Sequence, residues 1–201
     1  MLKEKQYQNE DFSGHAFFVA EITRKEFVDC NFTGADFSDI EMMYGCRFVN
    51  CNLAGAKMNG VHFRSCAFLN CRFRDNRFFA AVMEDCKMTG SAFFNIDFSD
   101  LTIEGGDWSL CGLRFAEFRK KKLKGVRFAW ADLAESKFIG CRVEDCDFAQ
   151  AVMHNVSFYQ SDIRGSDFSA TDLTALDLRG AKVDLEQCLR IAEAAGAKYV
   201  P

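Results

Sequence analysis

The chain has 201 residues, 49% of them hydrophobic and 27% charged, with a formal net charge of −4 and a sequence pI near 5.5. That balance argues against a generally basic nucleic-acid binder, and no apolar run approaches the roughly 18 residues of a membrane span. The first residues, MLKEKQYQ, lack the apolar centre of a signal peptide, so one sizeable domain in the cytoplasm is expected.

From the start, every fifth residue is apolar: Tyr7, Phe12, Phe17, Ile22, Phe27, Phe32, Phe37 and Met42. Six residues then separate Met42 from Phe48, which places one extra residue, a corner bulge, near 43–45. From Phe48 to Val183 the period of five runs without a break. Five matches neither the helix period of 3.6 nor the strand period of 2, so the pattern belongs to stacked repeats that bury their apolar face against their neighbours.

The position two before each centre is small: Cys46, Cys51, Ala56, Cys66, Cys71, Cys86, Ser91, Ala131, Ser136, Cys141 and Cys146 among others. Two of every five side chains therefore point inward, one large and one small. Nine of the ten cysteines occupy this slot, and only Cys188 falls outside the repeat. Stacked at a rung spacing of about 4.8 Å they stand too far apart for the roughly 3.8 Å between Cβ atoms in a disulfide, so free thiols are expected. Lys5, Glu10 and His15 in the earliest slots read as a polar end cap. Asn76 and Lys121 also fall in slots, and a buried ammonium requires either a local opening of the coil or a side chain that reaches out to water.

Outside, residues twenty apart form columns. One holds Glu84, Glu104, Lys124, Glu144, Arg164 and Asp184, and it reads as a partly self-neutralising ladder. The run Arg119–Lys124 falls on such a face and is read as solvated, with no direct nucleic-acid contact. Charge is uneven: residues 9–41 and 128–187 each sum to −6, while 42–127 sums to +6. The acidic zone near the C-terminus offers a candidate binding surface of Asp132, Glu135, Asp147, Asp162, Asp167, Asp172 and Asp177, although aspartate before a centre also serves simply to satisfy a turn amide. Phe94, Leu110, Phe115 and Trp130 form a candidate apolar partner patch. After Val183 the period ends, Asp184–Gln187 has the pattern of a capping box, and Leu185, Leu189, Ala192 and Ala195 supply a helical stripe up to Gly196.

Stretches such as CNFTG, ADFSD, CRFVN, CNLAG, ADLAE, CDFAQ, SDFSA and LDLRG resemble the pentapeptide-repeat family over nearly the whole chain. The resemblance implies an all-β solenoid, a right-handed quadrilateral parallel β-helix of about nine coils over 1–183, with a short α-helical cap and tail over 184–201. The tail resembles that of the Qnr-type and MfpA-like members. This implies a homodimer through Leu185, Leu189, Ala192, Tyr199 and Val200, and a DNA-mimicking protein that binds a type II topoisomerase, DNA gyrase, and modulates it or protects it from quinolones or toxins. The uninterrupted register leaves no room for the projecting loops of the loop-bearing members, so the likeness is to the loop-free ones. A general protein-interaction or structural module with another partner is the alternative.

His15, His62 and His154 are isolated, and no phosphate loop, nucleophile elbow or metal-ligand spacing occurs. No enzyme activity, cofactor, metal or small-molecule substrate is expected, and function is expected on the outer surface.

Overall fold

The computed structural model describes residues 2–198 and 200. Fifteen three-residue strands, from Gln6–Gln8 to Arg142–Glu144, are followed by a 3-10 turn, Leu173–Ala175, and one helix, α1, Leu185–Ala194. Every strand pair is parallel and joins residues one coil apart: Tyr7 faces Phe27, Phe73 faces Phe93, Phe118 faces Phe138 and Met83 faces Ile103. The chain is therefore a four-sided parallel solenoid. Its sides are named here by their lowest centres: first Tyr7, second Phe12, third Phe17 and fourth Ile22.

The large inward residues stack on their counterparts one coil away. Ring centroids are 4.8 and 4.7 Å apart along Phe27, Phe48 and Phe68, and 4.8 and 4.9 Å along Phe118, Phe138 and Phe158, which matches the rung spacing. About seven turns are fully packed, fewer than the nine expected. The difference lies at the ends, where Tyr7, Phe12, Leu178 and Val183 are only half-buried because no further coil covers them. Lys5, Glu10 and His15 are exposed, as expected of an end cap.

The extra residue lies a little earlier than expected. Pairing steps by twenty from Ala16 to Asp36 but by twenty-one from Ile22 to Met43 and from Phe27 to Phe48. Met43, not Met42, is the buried centre, and Ile40 fills the slot while Glu41 points outward. The amides of Glu41 and Met42 both donate to the Ala20 carbonyl, at 2.8 and 3.1 Å, so two residues stand opposite one and the bulge falls at 40–42.

Slot chemistry follows from the corners. At some corners the slot amide donates back to the centre three residues earlier, as Ala56 does to Leu53 at 3.1 Å and Ser136 to Leu133 at 2.9 Å. At the extended corners after Phe68, Phe138 and Val143 that bond is missing, and a hydroxyl from the coil above takes its place. Ser161 donates to the Phe138 carbonyl at 2.8 Å and accepts the Cys141 amide at 2.9 Å; Ser91 and Ser166 do the same for Phe68 with Cys71 and for Val143 with Cys146. Cysteine supplies the weaker donor at eight other open corners: Cys66 Sγ lies 3.3 Å from the Met43 carbonyl, Cys71 3.5 Å from Phe48 and Cys86 3.4 Å from Phe63. The corners after Phe73, Met83, Phe93 and Ile103 lie under Ile96, Gly106, Ala116 and Val126 and have no side-chain donor among the described residues. Eight of the nine buried cysteines stand above such open corners, Cys111 being the exception. A small side chain with a donor is what an interior carbonyl without water requires.

Asn76 donates to the carbonyls of Leu53 and Ala56, both of which also accept a backbone amide, from Ala56 and Arg77 respectively. Lys121 does so at the expense of the ladder: its Nζ donates to the carbonyl of Ser99 and, at 2.8 Å, to that of Leu101. In the next coil the Lys121 carbonyl is held by the Arg142 amide at 2.8 Å, whereas the ammonium now occupies the equivalent acceptor on Leu101. Thr102–Glu104 and Lys122–Lys124 accordingly lie in separate sheets, the local opening expected from the sequence. Burial pushes the Lys121 pKa down, and the nearby Asp100 and Asp97 oppose the shift.

Ser136 is a control for the corner rule. It stands above Leu113, whose carbonyl already accepts the Ala116 amide at 3.0 Å, and its buried hydroxyl has no partner among the described residues. Ser161→Ala is expected to lower stability by about 1–3 kcal/mol, and Ser136→Ala to leave it unchanged or raised. Denaturant melts of the two variants check this, and equal losses in both would contradict the corner rule.

Candidate partner surfaces

Three side chains of each pentapeptide face outward, and the residue before each centre is commonly Asp or Asn. Its Oδ1 accepts the amide two residues on: Asp147 from Ala149 at 2.9 Å, Asp167 from Ser169 at 2.7 Å, Asp172 from Thr174 at 2.9 Å and Asp132 from Ala134 at 3.1 Å. These acids thus have a local structural role, which also explains their periodic placement. The second carboxylate oxygen is left to face outward.

The seven candidate acids do not form one patch. Asp147 and Asp167 are adjacent on the first side, Asp132 and Asp172 lie on the second with Glu135 at its corner, Asp177 lies on the third and Asp162 on the fourth. Asp162 and Asp177 are each neutralised by an arginine two residues on, at 2.7 Å, because both neighbours of an inward centre point out. Arg179 beside Asp177 holds that carboxyl far below the usual range, and Arg164 lowers Asp162 likewise.

The most coherent acidic surface is the first side. It runs through Asp107, Arg127, Asp147 and Asp167, bridged rung to rung, with Asp145 at the corner just across the Cys146 slot. Arg127 is bound to Asp147 at 3.2 Å, while Asp145 and Asp167 have no ion pair among the described residues. Asp107 and Asp145 were not among the sequence candidates. Two steps of twenty from Asp147, through Arg127, reach Asp107 in a column the sequence itself shows, and Asp145 follows from reading across the slot.

The ladder expected through Lys124 is not formed. Lys124 lies beside Glu144, but Glu144 is bound by Arg142, and Lys120, Lys122 and Lys124 have no ion pair among the described residues. Phe94, Leu110, Phe115 and Trp130 are all exposed, on or at the corners of the second side.

α1 begins as expected: Asp184 accepts the Gln187 amide at 2.9 Å and Gln187 Oε1 accepts the Asp184 amide at 3.2 Å. Its packing face differs from the expected stripe. Gln187 is buried, with its amide nitrogen donating to the carbonyls of Ile163 and Ser166, Arg190 donates to those of Phe168 and Thr171, and Ile191 packs against the core. The carbonyls of Ser166 and Thr171 have no backbone donor from a further coil, so polar side chains cover this edge. Leu185, Cys188 and Ala192 are left exposed and Leu189 half-exposed. Val200 is exposed, and Tyr199 lies outside the described residues.

Among the described residues no group of His, Cys, Asp and Glu is arranged to hold a metal ion, and no helix is long and apolar enough to cross a membrane.

Comparison with known proteins agrees with this geometry. Pentapeptide repeats, in eight copies, match residues 46–83, 111–150, 127–165 and 151–185. The pentapeptide repeat protein MfpA of Mycobacterium tuberculosis is 30% identical over 105 residues, which is 50% of this chain and 57% of that protein, so the match spans little more than half of that relative. Trypsin-treated QnrB1, described as a plasmid-mediated fluoroquinolone resistance protein, superposes with a TM-score of 0.85 at 22% identity over 97% of each chain. Full-length QnrB1 gives 0.72 at 20% identity, over 96% of this chain and 100% of that one, and at these identities the likeness concerns the fold. With its repeats matched over more than half of its length and stacked in the geometry described above, the chain belongs to the pentapeptide-repeat family.

Proposed function

We propose that the chain is a non-catalytic, DNA-mimicking ligand of a type II topoisomerase, DNA gyrase, which it modulates or shields from a quinolone or a gyrase-poisoning toxin. The observation that carries this reading is the upper part of the first side, where Asp107, Asp145, Asp147 and Asp167, interrupted by Arg127 and with Lys87 below them, line the solenoid. Duplex DNA carries one charge per roughly 1.7 Å, so the mimicry is local, confined to this face and sensitive to salt. The likeness to MfpA and QnrB1 favours the same partner class.

In this reading two copies join through the outer stripe of α1, Leu185, Leu189 and Ala192, and their acidic zones meet at the centre of a longer rod. Val200 extends the same end. Sedimentation of the full chain is expected to give a dimer, and Leu185→Glu a monomer. A monomeric parent would remove the dimer from the account.

Asparagine retains the turn acceptor and tolerates the left-handed corner, so Asp145→Asn, Asp147→Asn and Asp167→Asn remove three charges and leave the fold in place. In a gyrase supercoiling assay with and without a fluoroquinolone, the parent is expected to alter the enzyme's activity. The triple variant should need about tenfold more protein for the same effect, as three surface charges at roughly 0.5 kcal/mol each imply, with a smaller difference at high salt. No effect of the parent, or an undiminished effect of the triple variant, would remove this reading.

A further inference from the structure

Corner residues of the solenoid hold a left-handed backbone, which glycine, asparagine and aspartate tolerate and bulky side chains do not. The column between the first and second sides holds Asn9, Asp29, Asn50, Asn70 and Gly90, then Leu110 at φ 59° and Trp130 at φ 62°, and then Gln150 and Ala170. Other corners hold Arg24, Lys120 and Glu135, so Leu110, Phe115 and Trp130 stand out as the large apolar residues among them. The next column runs Gly14, Gly34, Gly55, Asp75 and Asn95, and then carries Phe115 at φ 62°. Folding gains nothing from these choices, because Leu110, Phe115 and Trp130 remain 59%, 69% and 58% exposed. Three large apolar residues thus stand where the backbone disfavours them and the core does not use them.

They frame one strip. Between the two corner columns lie Phe94, 59% exposed, and the small residues Ala92 and Gly112, which face each other across adjacent coils. The Arg74 guanidinium stands 4.5 Å from the Phe94 ring centre and that of Arg114 5.5 Å from Phe115. Arg114 is drawn toward Asp132 at 3.8 Å, but Arg72 and Arg74 have no ion pair among the described residues. The strip is therefore aromatic along its length, cationic at its lower end and bordered by Asp132 and Glu135 at its upper end. A phosphate backbone, charged along its whole length, would meet those carboxylates, whereas a polypeptide can confine its acids to the lower end. The free guanidiniums suit carboxylates, and aromatic residues with arginine are the side chains enriched at protein interfaces.

We propose that this strip docks an acidic amphipathic polypeptide segment, its apolar side chains on Phe94, Leu110, Phe115 and Trp130 and its carboxylates on Arg72 and Arg74. The site is separate from the acidic first side and opposite to it in charge, so it holds whether or not the chain binds a topoisomerase.

The test uses the full chain and fluorescence anisotropy with three labelled probes: a synthetic peptide alternating Leu and Phe with Asp and Glu, its counterpart with Lys in place of the acids, and oligo(dT). The acidic peptide alone is expected to bind. Phe115→Asn with Trp130→Asn, or Arg72→Glu with Arg74→Glu, should weaken it at least about tenfold. The asparagine pair should also raise the melting temperature by about 2–4 °C, since it relieves the corners. A merely structural role for these residues would lower it. Binding of the acidic peptide that is absent or indifferent to both variant pairs overturns the proposal. So does oligo(dT) binding lost in the asparagine pair, which would assign the strip to single-stranded nucleic acid, or self-association lost in that pair, which would assign it to a second copy of the chain.

Discussion

The structure depends on one constraint: the interior of a four-sided coil admits two side chains per pentapeptide, so a carbonyl turned inward looks for its donor within the wall. Closed corners meet the need with their own backbone. Most open corners meet it with a serine hydroxyl or cysteine thiol from the coil above, although those after Phe73, Met83, Phe93 and Ile103 do not, and the last coil is covered by Gln187 and Arg190 of α1. Large centres stack as rings at rung spacing, and small slots carry the polar correction. Stability is thus built coil on coil, and each coil depends mainly on its immediate neighbours.

Because the interior is committed in this way, recognition is confined to the outer residues, and these are constrained as well. Aspartate before a centre first satisfies a turn amide and only then offers a negative charge. Arginine two residues beyond often cancels that charge, as at Asp162 and Asp177. What distinguishes a surface here is departure from the repeat's own economy: Asp145 and Asp167 without a cation, and Leu110, Phe115 and Trp130 at corners made for glycine or asparagine.

Much of this was legible in the chain itself. The period of five identifies the centres and slots from Phe48 to Val183, and the capping box at Asp184 marks the start of α1. The bulge was displaced by a few residues because Met42 and Met43 are both apolar and spacing alone does not say which faces in; the shared Ala20 carbonyl decides it. Apolar periodicity picks the wrong packing face of α1 because it assumes a greasy contact, whereas the coil edge takes the donors of Gln187 and Arg190. The seven acids were grouped by proximity in sequence, although a repeat of twenty distributes neighbours over four sides and gathers Asp107, Asp147 and Asp167 instead. The corner rule was present as the alternation of Cys and Ser with Ala and Val in the slots, but it acquires meaning only from the hydrogen bonds.

Nine slot cysteines sample the interior along most of the rod, from Cys30 to Cys146, and burial pushes the thiols of Cys86 and Cys146 up to about 12. Titration with an aromatic disulfide reagent under native conditions therefore tests the closed interior directly. The account predicts that at most one thiol, Cys188, reacts in the native protein, with the other nine reacting only after denaturation. Several thiols reacting at once in the native protein would contradict it.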